Sequence, residues 1–254
     1  MKLHYRELGE GQPFVILHGL FGYSDNWQTL AKKMAEYYRV ILVDQRNHGH
    51  SDWSDEFSYN LMSEDLKELL DDLQLKNVIL MGHSMGGKTS MVFASKYADL
   101  LDKLLVVDIG IKQYPMHHEE ILKGIKSVDT NGNISRSEAE TNLSKYIESF
   151  GVRQFLLKNL YWNSEKKLTW RMNVSSLEKN MGEILKNIRP EDEIFIPTLF
   201  IRGAQSNYIL DEDWSELEEC FPDSHLVTIQ NAGHWVHAEA PKEFLEAVLS
   251  FCLR

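Results

Sequence analysis

Cysteine is scarce in this chain: Cys220 and Cys252 are the two present among 254 residues. Two thiols make neither a disulfide framework nor a cysteine-built metal set, which points to a reduced, cytoplasmic setting. Long apolar runs are missing too. Stretches such as Leu104 to Val107 are interrupted within a few residues, far short of a membrane span. Met1 to Gly11 carries charges but no apolar h-region, so no signal peptide is expected. Basic residues are outnumbered, 27 Lys and Arg against 38 Asp and Glu. The resulting net charge of −11 argues against nucleic acid and anionic membranes as partners. Repeats, linkers and low-complexity segments are absent, so the length reads as one domain with a full core.

What is present centres on Gly82-His83-Ser84-Met85-Gly86, backed by Gly87. Val78 to Met81 before it is apolar and β-branched, as a buried strand is. Ser84 to Ala98 behind it reads as a helix with Met91, Val92, Ala94 and Ala98 on its apolar face. A strand entering a helix through G-x-S-x-G is a nucleophile elbow. Its turn crowds any side chain at positions 82 and 86, and it holds the Ser84 hydroxyl beside a helix N-terminus that favours developing negative charge.

Along the chain, residues 3–8 read as an edge strand, and Phe14 to Leu17 and Val40 to Val43 as buried ones. Helices follow, carrying Trp27, Leu30, Ala31 and Met34, then Met62, Leu66, Leu69, Leu70 and Leu73. After the elbow comes a strand from Leu104 to Val107 that ends at Asp108. From Ile111 to Glu193 the strand signal disappears, and the pattern predicts short amphipathic helices, one of them through Leu143, Tyr146, Ile147 and Phe150. Strands resume at Thr198 to Ile201 and Leu226 to Ile229, and a last helix begins near Pro241. Alternating strands and helices make a parallel sheet covered on both faces. The core is expected at 1–110 and 194–254, with 111–193 as a helical cap inserted between two strands. Within it, the stretch Asp129 to Ser135 superficially resembles a calcium loop, but its first ligand position falls on Ser127. A capping box, Ser135 with Glu138, is the better reading, and no metal is expected.

His18, Asp44, Ser84, Asp108 and His234 all follow strand ends, where a doubly wound sheet gathers functional groups. His234, freed by Gly233, is the expected general base for Ser84, with His237 as its neighbour in the same segment. The expected oxyanion donors are the backbone N–H groups of Met85 and Leu20. His18 reads as a loop-fixing residue and His83 as a packing or hydrogen-bonding one. His48 and His50, with Asn47, read as a solvent-exposed turn. Phe21 and Trp235 flank the inferred catalytic elements and are expected to line the substrate pocket.

The chain resembles the α/β-hydrolase superfamily over nearly its full length, and within it the small bacterial esterases of the YbfF type. The matching stretches are His18-Gly19-Leu20-Phe21-Gly22, Arg46 to Ser51, Gly82 to Gly87, Asp108-Ile109, Trp170 to Asn173 and Gly233-His234-Trp235. The resemblance implies a mostly parallel sheet of about eight strands with the cap between strands 6 and 7. It also implies a carboxylesterase for small or medium acyl esters that needs no cofactor. At the position where most of the superfamily carries the triad acid stands Ser206, within Arg202-Gly203-Ala204-Gln205-Ser206. The YbfF-type arrangement instead implies Asp108; Asp211 and Asp213 are later alternatives that read as a helix N-terminal turn. The same triad would also serve a thioesterase, a carbon–carbon bond hydrolase or a perhydrolase. A ligand-binding protein on this fold is the reading from another class.

Overall fold

The computed structural model describes residues 1–116, 118–130, 132 and 134–253. The strands and helices, in chain order, are β1 (His4–Leu8), β2 (Pro13–Leu17), α1 (Gln28–Met34), β3 (Arg39–Asp44), α2 (Tyr59–Asp72), β4 (Val78–His83), α3 (Met85–Tyr97) and β5 (Leu101–Val107). Then come α4 (Glu119–Ser127), α5 (Arg136–Ser144), α6 (Phe150–Leu157), the short strands β6 (Leu160–Trp162) and β7 (Leu168–Trp170), α7 (Val174–Lys179) and α8 (Met181–Leu185). The chain closes with β8 (Thr198–Gly203), α9 (Trp214–Cys220), β9 (Ser224–Ile229), α10 (Val236–Glu239) and α11 (Pro241–Cys252).

Seven strands pair in the order β1-β3-β2-β4-β5-β8-β9, all parallel except the edge strand β1. Period-two alternation splits each central strand between two cores. In β2, Phe14 and Ile16 pack with Trp27, Leu30, Phe244 and Val248 on one face. Val15 and Leu17 pack with Leu66, Leu70, Met91 and Phe93 on the other. Each such apolar side chain, fully buried, contributes about 1.5–3 kcal/mol. Among the described residues no helix is long and apolar enough to cross a membrane.

Three expectations are corrected. The main sheet has seven strands rather than eight, because residues 9–12 between β1 and β2 form only a turn, too short to add one. The segment between the cores therefore sits between the fifth and sixth strands of this sheet. Nor is that segment purely helical: Leu160 to Trp162 and Leu168 to Trp170 form an antiparallel hairpin, so Tyr161, Trp162 and Trp170 lie on strands. The Asn163 side chain closes it by accepting from the amides of Glu165 and Lys167. The predicted helix through Leu143 and Phe150 is broken as well: Leu143 and Ile147 are buried, but Tyr146 and Phe150 are exposed and α6 starts afresh. Of the candidate calcium loop, Asn131 and Asn133 lie outside the described residues. Ser135 and Glu138 cap α5 reciprocally, as a capping box does.

The elbow is set by backbone crowding. A Cβ on Gly86 would stand 2.5 Å from the Leu17 carbonyl oxygen and 2.6 Å from that of His18, and one on Gly82 would overlap the Gly86 carbonyl. Neither backbone can yield without shifting β2. Gly86→Ala is therefore expected to cost at least about 1–3 kcal/mol in denaturant unfolding. Gly182→Ala, with open space around it, should be neutral or slightly stabilising. Equal stability of the two variants would contradict this account of the turn.

Candidate active site

Three strands end in left-handed or otherwise forced backbone around one point. Ser84 follows β4 with φ 52° and ψ −118°, Asp108 follows β5 with φ 50°, and Phe21 lies in the loop after β2 with φ 60°. For residues other than glycine such conformations cost about 1–3 kcal/mol each and persist where the surroundings over-determine them. Here the neighbouring strand does so. The Ser84 amide donates to the Val107 carbonyl at 3.0 Å, and the Asp108 amide to that of Ile201 at 2.8 Å.

The structure brings Ser84, His234 and Asp108 together. His234 Nε2 lies 3.0 Å from Ser84 Oγ, and its Nδ1 lies 2.8 Å from Asp108 Oδ2. A carboxylate can only accept, so the imidazole proton belongs on Nδ1 and Nε2 is left to accept the serine hydroxyl. Asp108 is fully buried and also accepts from the Gly203 amide at 3.0 Å and from the Ser206 hydroxyl. Ser206 thus meets the acid rather than the imidazole. Asp211 and Asp213 are spent elsewhere: Asp211 pairs with Arg202 at 2.5 Å, and Asp213 pairs with Lys112 and caps the Leu210 amide. The Tyr208 ring stacks on His234, with centroids 3.8 Å apart and planes 15° off parallel.

The loop after β2 is fixed by histidines. His18 donates from Nδ1 to the Gly19 carbonyl at 2.8 Å and accepts the Gln45 amide on Nε2 at 3.0 Å. His48 accepts the Phe21 amide at 3.2 Å, and Asn159 donates to the Phe21 carbonyl at 2.7 Å. Both polar ends of Phe21 are thereby held, and with them the orientation of the adjoining Leu20 amide. Among the described residues, neither the Leu20 amide nor the Met85 amide donates a hydrogen bond to a protein acceptor. His83 is buried and donates from Nε2 to the His234 carbonyl at 2.9 Å, steadying the loop that carries His234. Its burial pulls the imidazole down to about 3, so it stays neutral.

The expected exposure of His48 and Asn47 is overturned: both are fully buried, while His50 remains partly exposed. The turn folds inward because its polar groups find partners there. Arg46 forms a buried two-pronged pair with Asp65 at 2.6 and 2.9 Å, and Asn47 bonds Ser176 and the Ser54 amide. His4, Asp44 and His50 place donor atoms within 4.8 Å of one another. Arg171 donates to His50 Nε2 at 2.7 Å, however, and Asp44 accepts the Ser24 and His50 amides. A cation there would compete with a guanidinium.

Two spaces open beside Ser84. The larger, about 200 Å³, is lined by Phe21, Phe155, Leu156, Val152, His234 and Trp235 among others. The smaller, about 20 Å³, lies against Leu20, Met85, Ile109, Tyr114, Ile184 and Lys88. A larger cavity, about 680 Å³, runs between α2, α3 and residues 186–195; it touches none of these groups and is lined largely by polar and charged side chains. Sequence reasoning named Phe21 and Trp235 but missed Tyr208 and Lys88. Lys88 was detectable as a cation on the inner face of the elbow helix, four residues after Ser84.

A family model described as the alpha/beta hydrolase fold matches residues 12–133. The mouse sn-1-specific diacylglycerol lipase ABHD11 is 39% identical over 245 residues, covering 93% of this chain and 80% of that protein. The chain belongs to the α/β-hydrolase family. Esterase YbfF of Escherichia coli is 36% identical over 256 residues, covering 98% of each protein. The solved structure of a marine microorganism esterase superposes with a TM-score of 0.96 at 42% identity, covering 98% of this chain and 99% of that one. The chain is thus a hydrolase-family enzyme whose relatives carry esterase and lipase names.

Burial pushes the Asp108 carboxyl up to about 7, against the Ser206 hydroxyl and the Gly203 amide, which favour the carboxylate. The ionised form is the one that orients the imidazole, so Ser84 should become more nucleophilic as pH rises. The rate at which a fluorophosphonate modifies Ser84 is expected to climb with pH through an apparent midpoint that belongs to the Asp108–His234 pair. A rate independent of pH across that midpoint would contradict the assignment.

Proposed function

We propose that this α/β-hydrolase cleaves carboxylic esters through an acyl-Ser84 intermediate, with His234 as general base and acid and Asp108 as its orienting carboxylate. The observation that carries the reading is the unbroken chain of contacts from Ser84 Oγ through His234 to buried Asp108. The esterase and lipase names of full-length relatives support it. Ser84 Oγ attacks the ester carbonyl carbon as its proton passes to His234 Nε2. The carbonyl oxygen takes the negative charge and is met by the Leu20 and Met85 amides, donors of a kind whose removal costs about 2.7–4 kcal/mol in related chemistry. The carbon–oxygen bond to the alcohol then breaks, and His234 returns the proton to the departing alkoxide. Water, deprotonated by the same Nε2, attacks the acyl-serine, and the carboxylic acid leaves with Ser84 restored. Each step uses this chain's own groups, the ester and one water.

Phe21 and Trp235 would wall the substrate lobe and help exclude bulk water, which strengthens every charge interaction at Ser84. The reading is tested with p-nitrophenyl esters of increasing acyl length, beside mass measurement after fluorophosphonate treatment. Expected are turnover of at least the shorter esters and a single adduct on the peptide containing Ser84, both lost in Ser84→Ala. A folded protein that cleaves no ester and gains no mass would contradict it.

A further inference from the structure

The two spaces beside Ser84 differ about tenfold in volume, roughly 200 against 20 Å³, and the chemistry assigns them different parts of an ester. The proton held on His234 Nε2 has to reach the departing alkoxide, so the alcohol must lie on the His234 side. His234 lines the larger lobe with Trp235 and Phe155, and it does not line the smaller one. Leu20 lines both spaces, but Met85, the other residue whose amide would face the carbonyl oxygen, lines the smaller one and not the larger, so the smaller lobe falls to the acyl substituent. A space of that size accepts a group about as large as one water, which suits a methyl but not a chain.

We propose that this enzyme selects acetyl-sized acyl groups carried on larger apolar alcohols, and that Lys88 is the positioning residue that keeps the acyl lobe small. The proposal rests on the ester-hydrolysis reading above.

Lys88 lies one helical turn beyond Ser84 on α3 and is 1% exposed. Its ammonium donates to the carbonyls of Lys112 at 2.9 Å, Leu185 at 3.5 Å and Lys186. Lys112 lies where the chain leaves β5, and Leu185 and Lys186 lie where it returns from α8, so one cation ties both roots of the inserted segment to the elbow helix. The rings of Tyr114 and Tyr59 lie 4.9 and 5.9 Å from the nitrogen. Those same rings are pinned as walls through their hydroxyls: that of Tyr59 donates to the Ile184 carbonyl at 2.6 Å, and that of Tyr114 donates to the Tyr208 carbonyl at 2.8 Å and accepts the Gly110 amide at 2.7 Å. Removing the ammonium takes a donor from the part-buried carbonyls of Lys112 and Lys186, while that of Leu185 keeps the Tyr114 amide, and so loosens the tie between the returning chain and α3. Ile184 and Leu185 line the lobe, so a movement of the returning chain away from α3 enlarges it.

Hexyl acetate and ethyl hexanoate contain the same atoms, with the long chain on opposite sides of the ester. For the unaltered protein, kcat/KM should favour hexyl acetate by at least about tenfold, the scale at which a pocket rejects surplus methylenes. In Lys88→Met the ratio should narrow, mainly through a lower KM for ethyl hexanoate, a change that simple loss of folded protein would not produce. Ile184→Ala, which enlarges the lobe without touching the ammonium, should narrow it too and carries the test of the lobe if Lys88→Met does not fold. Equal or reversed preference in the unaltered protein, with both esters cleaved, overturns the proposal and leaves ester hydrolysis standing. A ratio that Ile184→Ala narrows but folded Lys88→Met leaves unchanged overturns the role of Lys88. Failure to cleave either ester, with no fluorophosphonate adduct on Ser84, overturns both readings.

Discussion

The site depends on how closely the first turn of α3 approaches the ends of β2 and β4. Gly86 rests on the carbonyls of Leu17 and His18, and Gly82 on that of Gly86, with no room for a Cβ at either position. That contact forces Ser84 into a left-handed conformation, and the sheet holds it there through the Val107 carbonyl. Asp108 repeats the device one strand over, held by Ile201, and Phe21 does so in the loop after β2, held by His48 and Asn159. Ser84, Asp108 and the loop beside the Leu20 amide are thus aimed by strained backbone at the ends of strands β2, β4 and β5, two of them by a hydrogen bond to the adjacent strand. A rigid parallel sheet makes such strain affordable because every central strand is buried on both faces.

Local signals were legible in the residues. The elbow's glycines, the apolar strands and the proline at the start of α11 each state a short-range constraint, and the elements formed accordingly. The spatial gathering of His234 and Asp108 on Ser84 also followed from their positions at strand ends. What escaped was long-range partnership. The exposure expected of His48 assumed that a polar turn faces water; Asp65, Ser176 and the Phe21 amide, distant in sequence, draw it inward instead. The hairpin Leu160 to Trp170 escaped because three-residue strands are too short to show a period. The position of Lys88 on the inner helix face was a signal, but its acceptors are backbone carbonyls, so its partners escaped.

The inserted segment shares one apolar core with the sheet and its helices, and many small polar ties hold it there as well. Asn47 meets Ser176, its carbonyl accepts the Asn173 amide, Tyr59 reaches the Ile184 carbonyl, and Tyr23 donates to that of Lys158. Each such bond is worth only about 0.5–1.5 kcal/mol net, but together they fix where the segment's apolar side chains stand over Ser84. On the proposed reading, chemistry is held by strand ends and selectivity by segment roots.

The central claim is that the orienting carboxylate is Asp108, at the end of β5, although the serine at the customary position lies beside it. Asp108→Asn keeps the shape, removes the charge and permits the wrong imidazole tautomer, a change that lowers kcat by about 10⁴ in the serine-protease template. Measured with a p-nitrophenyl ester beside Asp211→Asn and Asp213→Asn, kcat for Asp108→Asn should fall by about 10² to 10⁴, or roughly 3 to 5 kcal/mol. The two controls should stay close to the unaltered protein. A folded Asp108→Asn variant with kcat near that of the unaltered protein, or an equal loss in either control, would contradict the account.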